Sequence, residues 1–200
     1  MVKKKRSNPW VFVLELLFVI GVAIGAAALL RQYVISKDVV VGVSMAPTLN
    51  NDDRLFSLRT VGIKRNAIVV VNAPDRPNQR YVKRVIGLPG DTVESKNDVL
   101  YINGKRQAQP YLKPKFMQPE IKTWAAQRNV NASVVHFTGD FNIATLPSTH
   151  SKTVPAGHYF VLGDNRLVSH DSRDFGFLSR SQIESVIIWR YAPIDQMQWY

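Results

Sequence analysis

Arg80-Tyr81-Val82-Lys83-Arg84-Val85-Ile86-Gly87-Leu88-Pro89-Gly90-Asp91 alternates over its first seven residues and then stops at a turn. In a strand, Tyr81, Lys83 and Val85 share one face, while Val82 and Ile86 lie on the other. Gly87-Leu88-Pro89-Gly90 supplies the breaker. The same punctuation recurs on both sides. Residues 39–43 and 68–71 read as strands, the second broken by Pro74 to Pro77. Residues 92–94 and 99–102 flank Lys96-Asn97-Asp98 as a hairpin, and Asn103-Gly104 is a further turn. From 105 to 155 the pattern loosens into Pro, Gln, Asn and Thr, with a short helix expected at 121–128, so this stretch reads as a cap-like insertion. Strands resume at 158–162 and 183–191. The expected fold class is all-β, antiparallel sheets filling residues 31–200.

Ahead of that domain, residues 10–30 are almost wholly apolar. As a helix they run about 31 Å at 1.5 Å per residue, and a bilayer's hydrocarbon core is about 30 Å thick. Lys3, Lys4, Lys5 and Arg6 precede the segment, and the positive-inside rule places that end, residues 1–9, in the cytoplasm. Residues 31–200 are then expected outside. Ala26-Ala27-Ala28 offers the competing reading of a cleavable secretory signal. The apolar run is longer than the roughly 7–15 residues of a signal's h-region, which favours a retained transmembrane helix. Glu15 is a costly charge inside the span, near its cytoplasmic end.

The chain has 200 residues, 46% of them hydrophobic, enough for one folded domain and one anchor. Lys and Arg outnumber Asp and Glu by 26 to 15. Such a surface is drawn to anionic lipid headgroups. Nucleic acid would suit the charge too, but the cations are scattered and the domain is expected to face away from the cytoplasm. There is no cysteine, which excludes a disulfide, a Cys-ligated zinc and a thiol nucleophile.

Chemistry concentrates at three places. The first is Ser44, in Gly42-Val43-Ser44-Met45-Ala46-Pro47-Thr48-Leu49. A serine hydroxyl is a poor nucleophile until a base takes its proton, and lysine is a known alternative to histidine as that base. The second is Lys83. A free lysine, with a pKa of about 10.4, is scarcely neutral at pH 7, but apolar surroundings lower that by several units. Taken singly, Lys83 reads as an exposed lysine on a strand and Ser44 as a polar residue closing one. The third is Gly163-Asp164-Asn165-Arg166-Leu167-Val168-Ser169-His170-Asp171-Ser172-Arg173. Ser169, Asp171 and Arg173 are spaced by two and share a face if extended, so Asp171 and Arg173 pair and Ser169 holds the lysine amine. A turn rigidified by its own side chains is the plainer reading, and the two are compatible.

Taken in order, the basic tail, the apolar span, the Ser44 motif, Tyr81-Val82-Lys83-Arg84, Asn97-Asp98-Val99-Leu100-Tyr101-Ile102-Asn103-Gly104 and residues 163–173 resemble the type I signal peptidase family, in its single-anchor Gram-positive form. The resemblance covers nearly the whole chain. It implies a membrane-bound serine endopeptidase that removes signal peptides, with Ser44 as nucleophile, Lys83 as general base, Ser169 orienting the lysine, and Asp171 and Arg173 bracing the site. Some relatives carry a serine two residues before the nucleophile as an oxyanion donor. Gly42 stands there, so the oxyanion is expected to rest on the Ser44 backbone N–H, with backbone or water at Gly42 as the candidate second donor. Relatives cleave after small residues at the first and third positions before the scissile bond. Val40, Met45, Leu49, Tyr81 and Val82 match positions expected near those pockets. The implied partners are preprotein signal peptides, membrane lipid and, as a candidate, the secretion machinery. No cofactor, metal or nucleic acid is called for.

Three rival readings remain at this level. A Ser–His–Asp hydrolase would use His170 and Asp171, although neighbours on a strand point to opposite faces. Self-cleaving repressors share Ser–Lys chemistry but carry a DNA-binding module where this chain has its apolar span. A membrane-tethered, non-catalytic β-rich scaffold or inactive homologue is the third.

Overall fold

The structure, a computed structural model, describes residues 9–200. The basic tail expected at 1–9 lies outside the described residues, except Pro9, where the first helix starts. That helix, α1 (Pro9–Tyr33), runs three residues past the expected span. Trp10–Tyr33 is long and apolar enough to cross a membrane, and its apolar stretch is not buried against the rest of the described chain.

Among the described residues twelve strands follow: β1 (Ile35–Val39), β2 (Arg54–Leu58), β3 (Ile68–Asn72), β4 (Arg80–Gly87), β5 (Val93–Lys96), β6 (Val99–Ile102), β7 (Lys105–Arg106), β8 (Phe141–Asn142), β9 (His158–Leu162), β10 (Leu178–Ser179), β11 (Ile183–Ala192) and β12 (Gln198–Trp199). Helix α2 is Pro114–Gln127 and the one-turn α3 is Ser172–Phe175. All these pairings are antiparallel. The main sheet runs β1-β2-β11-β3-β4-β9-β10, with β12 on β11, and a smaller sheet runs β7-β6-β5-β8.

Ile68-Val69-Val70-Val71 is continuously apolar because β3 is buried on both faces. Ile68 and Val70 pack with Val40, Met45, Leu49 and Leu55. Val69 and Val71 pack with Val85, Val161 and Ile183. A third cluster, including Ile86, Val93, Ile102, Ile143 and Phe160, joins the two sheets. The hairpin turn between β5 and β6 has Asn97 and Asp98 at φ 49° and 63°, as a two-residue primed turn requires.

Two expected elements move. The strand placed at 39–43 is β1 at Ile35–Val39, and Gly42, at φ +93°, lies in the turn beyond it. The inward positions of β1 are the polar Ser36 and Asp38, so apolar alternation misplaces it. The helix expected at 121–128 begins at Pro114, since proline is well suited to a first helical turn. Strand β2, between β1 and β11, was not anticipated.

Candidate active site

The turn after β1 carries Ser44, which is half-buried. Its neighbours fix it from below: Met45 is 1% exposed and Leu49 is fully enclosed. Arg190 of β11 pins the turn by donating to the Thr48 carbonyl at 3.1 Å and to Asp53 Oδ2 at 2.8 Å. From the other side, Asn165 N–H donates to the Ser44 carbonyl at 3.0 Å. The 163–173 loop and the serine turn are therefore held together by main chain.

Lys83 sits on β4 opposite Val69 and is 3% exposed. Its Nζ donates to Ser169 Oγ at 3.0 Å and lies 5.6 Å from the centre of the Tyr81 ring. Burial pushes the ammonium down to about 8 from 10.5, with the Asp171 charge pulling the other way. Ser44 and Lys83 line one cavity of about 260 Å³. Among the described residues no hydrogen bond joins them.

Asp171 and Arg173 pair as the spacing suggested. Arg173 Nε and Nη2 donate to the two Asp171 oxygens at 2.8 and 2.9 Å. Arg173 also reaches the carbonyls of Thr138 and Arg166 at 3.0 and 2.8 Å, and Gly163 N–H donates to Asp171 Oδ2 at 3.0 Å. Burial alone would raise the Asp171 carboxyl. The Arg173 hydrogen bonds and charge, the Gly163 N–H and the Lys83 charge outweigh it and hold the group below the usual carboxylate range. Gly163 must be glycine: a Cβ there would overlap the Ser169 side chain and stand 2.5 Å from the Ser44 carbonyl.

Of the expected pocket residues, Val40, Met45, Tyr81 and Val82 line the same cavity, together with Asp38 and Arg80. Leu49 does not; it is wholly inside the core with Val40, Met45 and Leu55. Gly42 N–H donates to Asn51 Oδ1 at 2.8 Å, so that amide is not a free oxyanion donor. Ser44 N–H has no acceptor among the described residues.

His170 and Asp171 do not form a catalytic pair. His170 Nε2 bonds Asp75 Oδ2 at 2.6 Å and Nδ1 faces Asp174 at 3.4 Å, while Asp171 is taken by Arg173. Among the described residues, no three His, Asp or Glu side chains are placed to hold a metal ion.

The sequence reading missed a second polar lock. Arg84, beside Lys83 but on the other face of β4, donates to Asp164 through Nε at 2.8 Å and Nη2 at 2.6 Å. Thr48 Oγ1 donates to the same carboxylate at 2.5 Å, and the Arg84 guanidinium lies 3.9 Å from the centre of the Tyr111 ring. The available signal was a polar residue alternating into a buried strand, which demands a partner.

Residues 13–192 match the family described as signal peptidase, peptidase S26. The chain is 35% identical over 202 residues to signal peptidase IB of Staphylococcus aureus (strain MRSA252), covering 98% of this chain and 95% of that protein. It is 41% identical over 199 residues to signal peptidase I of Bacillus caldolyticus, covering 97% and 95%. A crystal structure of a signal peptidase I from Enterococcus faecalis V583 is 44% identical, with a TM-score of 0.52, covering 63% of this chain and 97% of that one.

Proposed function

Because the chain belongs to the signal peptidase family, peptidase S26, we propose that it is a membrane-bound serine endopeptidase that removes N-terminal signal peptides from secreted preproteins. The observation that carries this reading is the buried Lys83, lowered to about 8 and held by Ser169, in the cavity that also holds Ser44.

Neutral Lys83 Nζ takes the Ser44 Oγ proton as that oxygen attacks the scissile carbonyl carbon. The developing oxyanion rests on the unpartnered Ser44 N–H. As the C–N bond breaks, Lys83 returns its proton to the leaving amine of the mature protein, and the signal peptide remains as an ester on Ser44. Lys83 then deprotonates a water that hydrolyses the ester. Contacts between nucleophile and base commonly tighten only with substrate bound, in keeping with the absence of a direct Ser44–Lys83 hydrogen bond. Ser169 orients the amine, and the Asp171–Arg173 pair keeps the Ser169 loop in place.

The substrate strand has room to pair. Among the described residues β1 has a neighbour on one side only, β2. β4 meets β9 from Arg84 onward, which leaves one edge of residues 80–83 without a partner strand among the described residues. An extended signal peptide fits such edges by strand addition, with small side chains against Val40, Met45, Tyr81 and Val82. The helix α1 anchors the protein in the cell membrane, its N-terminus cytoplasmic and the catalytic domain outside. Membrane lipid is its proposed partner, with the secretion machinery a candidate second.

The test is cleavage of a purified preprotein. Ser44→Ala and Lys83→Ala are each expected to abolish it, and Lys83→Arg as well, since guanidinium keeps its proton. His170→Ala and His158→Ala are expected to keep it. Cleavage by Lys83→Ala, or its loss in a folded His170→Ala, would overturn the Ser–Lys assignment. No cleavage by the unaltered protein would favour the non-catalytic scaffold.

A further inference from the structure

Where α1 runs into the main sheet, an open cleft of about 570 Å³ lies between the last turns of the helix and strands β1 and β2. Ala27 and Leu30 form its helix wall and Phe56 part of its strand wall. Arg31, Lys37 and Arg59 line it, and no carboxylate does. One of the three cations has an acid: Arg59 Nη1 donates to Glu184 Oε1 at 2.5 Å. Even so, Arg59 Nε is buried without a hydrogen-bond acceptor, an unfavourable state for an ionised donor. Lys37 Nζ lies 5.2 Å from the centre of the Phe56 ring. Among the described residues, neither Lys37 nor Arg31 forms an ion pair.

The height of the cleft matters as much as its charge. A hydrocarbon core of about 30 Å is used up by about 20 helical residues, so Ala27 and Leu30 fall at its outer limit and Arg31 at the phosphate level. Phe56 continues into a ladder of rings at that height: it stacks on Trp189 at 5.6 Å, and Trp189 stacks on the exposed Trp199 at 5.0 Å. Aromatic rings of this kind favour the headgroup layer.

We propose that this cleft binds the headgroup of an anionic phospholipid of the outer leaflet, resting on the membrane placement inferred above. The phosphate lies against Arg31, Lys37 and the exposed part of the Arg59 guanidinium, and the acyl chains run along Ala27 and Leu30. A zwitterionic headgroup would bring its own cation to a site with three cations and no lining acid. Lys37 is on β1 and β1 leads to Ser44, so the bound lipid fixes the height of the serine above the bilayer.

The experiment measures lipid selectivity of the full chain in bilayers, using spin-labelled phosphatidylglycerol against spin-labelled phosphatidylcholine. The unaltered protein is expected to prefer the anionic lipid, and Arg31→Gln with Lys37→Gln to lose about fivefold of that preference for each cation. Lys105→Gln with Arg106→Gln, which removes as much charge from exposed β7, is expected to keep it. Equal selectivity in the Arg31/Lys37 variant would overturn the site, as would an equal loss in the Lys105/Arg106 variant, which would mean diffuse attraction. Millimolar inorganic phosphate is expected to leave the preference in place; its abolition would mean a free-anion site and not a lipid one. Short-peptide cleavage by the Arg31/Lys37 variant checks its fold. Ser44→Ala is expected to keep full lipid selectivity, so failure of the peptidase reading shows separately from failure of this one.

Discussion

Lys83 is 3% exposed and lowered to about 8 from 10.5, so at neutral pH the folded protein holds a charge where burial disfavours it. Below pH 8 the lysine is protonated folded and unfolded alike, and the full cost is present. Between about 8 and 10.5 the unfolded chain binds more protons, so stability rises with pH there, and above that range the cost is gone. Lys83→Met is accordingly expected to be more stable than the unaltered protein by up to about 3 kcal/mol at pH 7, because each pH unit between 8 and 10.5 corresponds to about 1.4 kcal/mol. Loss of the Ser169 hydrogen bond offsets part of this. The gap is expected to close as pH rises from 8 to 10.5, read from urea unfolding at several pH values. A pH-independent gap would mean that the lysine charge is not the cause. With Lys83 as the proposed general base, the same titration is expected to govern catalysis: kcat/KM should rise with pH and level off above about 8. A rise confined to the ordinary lysine range would mean that Lys83 is not the working base.

At the scale of strands and loops, the Arg84–Asp164 pair joins β4, the serine turn through Thr48, and the start of the 163–173 loop. Both side chains are buried. Asp164→Asn leaves the Arg84 charge enclosed without its counter-charge, and a loss of about 3–5 kcal/mol is expected in chemical unfolding, with reduced cleavage because Thr48 loses its carboxylate. A loss within a few tenths of a kcal/mol would contradict the lock. The sequence showed the motif that carries Lys83 and Ser169 but not this pair, since 80 residues separate its members and nothing local links them. Similarly, β3, β4 and β9 were legible because their apolar residues face the core in strand order. β1 was not, because its inward Ser36 and Asp38 have polar partners: Ser36 Oγ donates to Asp38 at 3.4 Å, and Asp38 also accepts from Ser57 Oγ at 2.7 Å and from Arg80 Nη1 at 3.0 Å. A polar inner face with partners defeats any reading based on hydrophobic alternation. The Asp171–Arg173 pair was readable from a spacing of two residues, whereas the Asn51 cap on Gly42 depended on a turn whose shape only the fold supplies.

For the whole molecule, the decisive feature is the join between helix and sheet. From length alone, the stretch from Leu30 to Ser44 reaches at most about 46 Å when extended, which bounds the distance of the serine from the helix end without fixing it. In the structure that stretch is ordered. Val34 N–H donates to the Leu30 carbonyl and the Val34 carbonyl accepts from Arg59 N–H, each at 2.9 Å, and β1 then pairs with β2 from Ile35 to Val39. A chain beginning at Gln32 keeps all of the β1 pairing and is expected to stay folded and to cleave short soluble peptides. What it loses is confinement. On the proposed membrane placement, an anchored enzyme meets a membrane-inserted signal peptide at an effective concentration set by the bilayer, and the ordered join would hold Ser44 at one height above it. The truncated protein is therefore expected to lose activity on preproteins in liposomes disproportionately, by about a hundredfold more than on a soluble peptide, the low end of avidity effects. The measurement is the ratio of kcat/KM on the two substrates for the full and truncated proteins. Equal ratios would mean that the helix contributes nothing beyond residence in the membrane fraction. Loss of peptide cleavage together with folded structure would mean instead that α1 supports β1, and that the join carries stability as well as position.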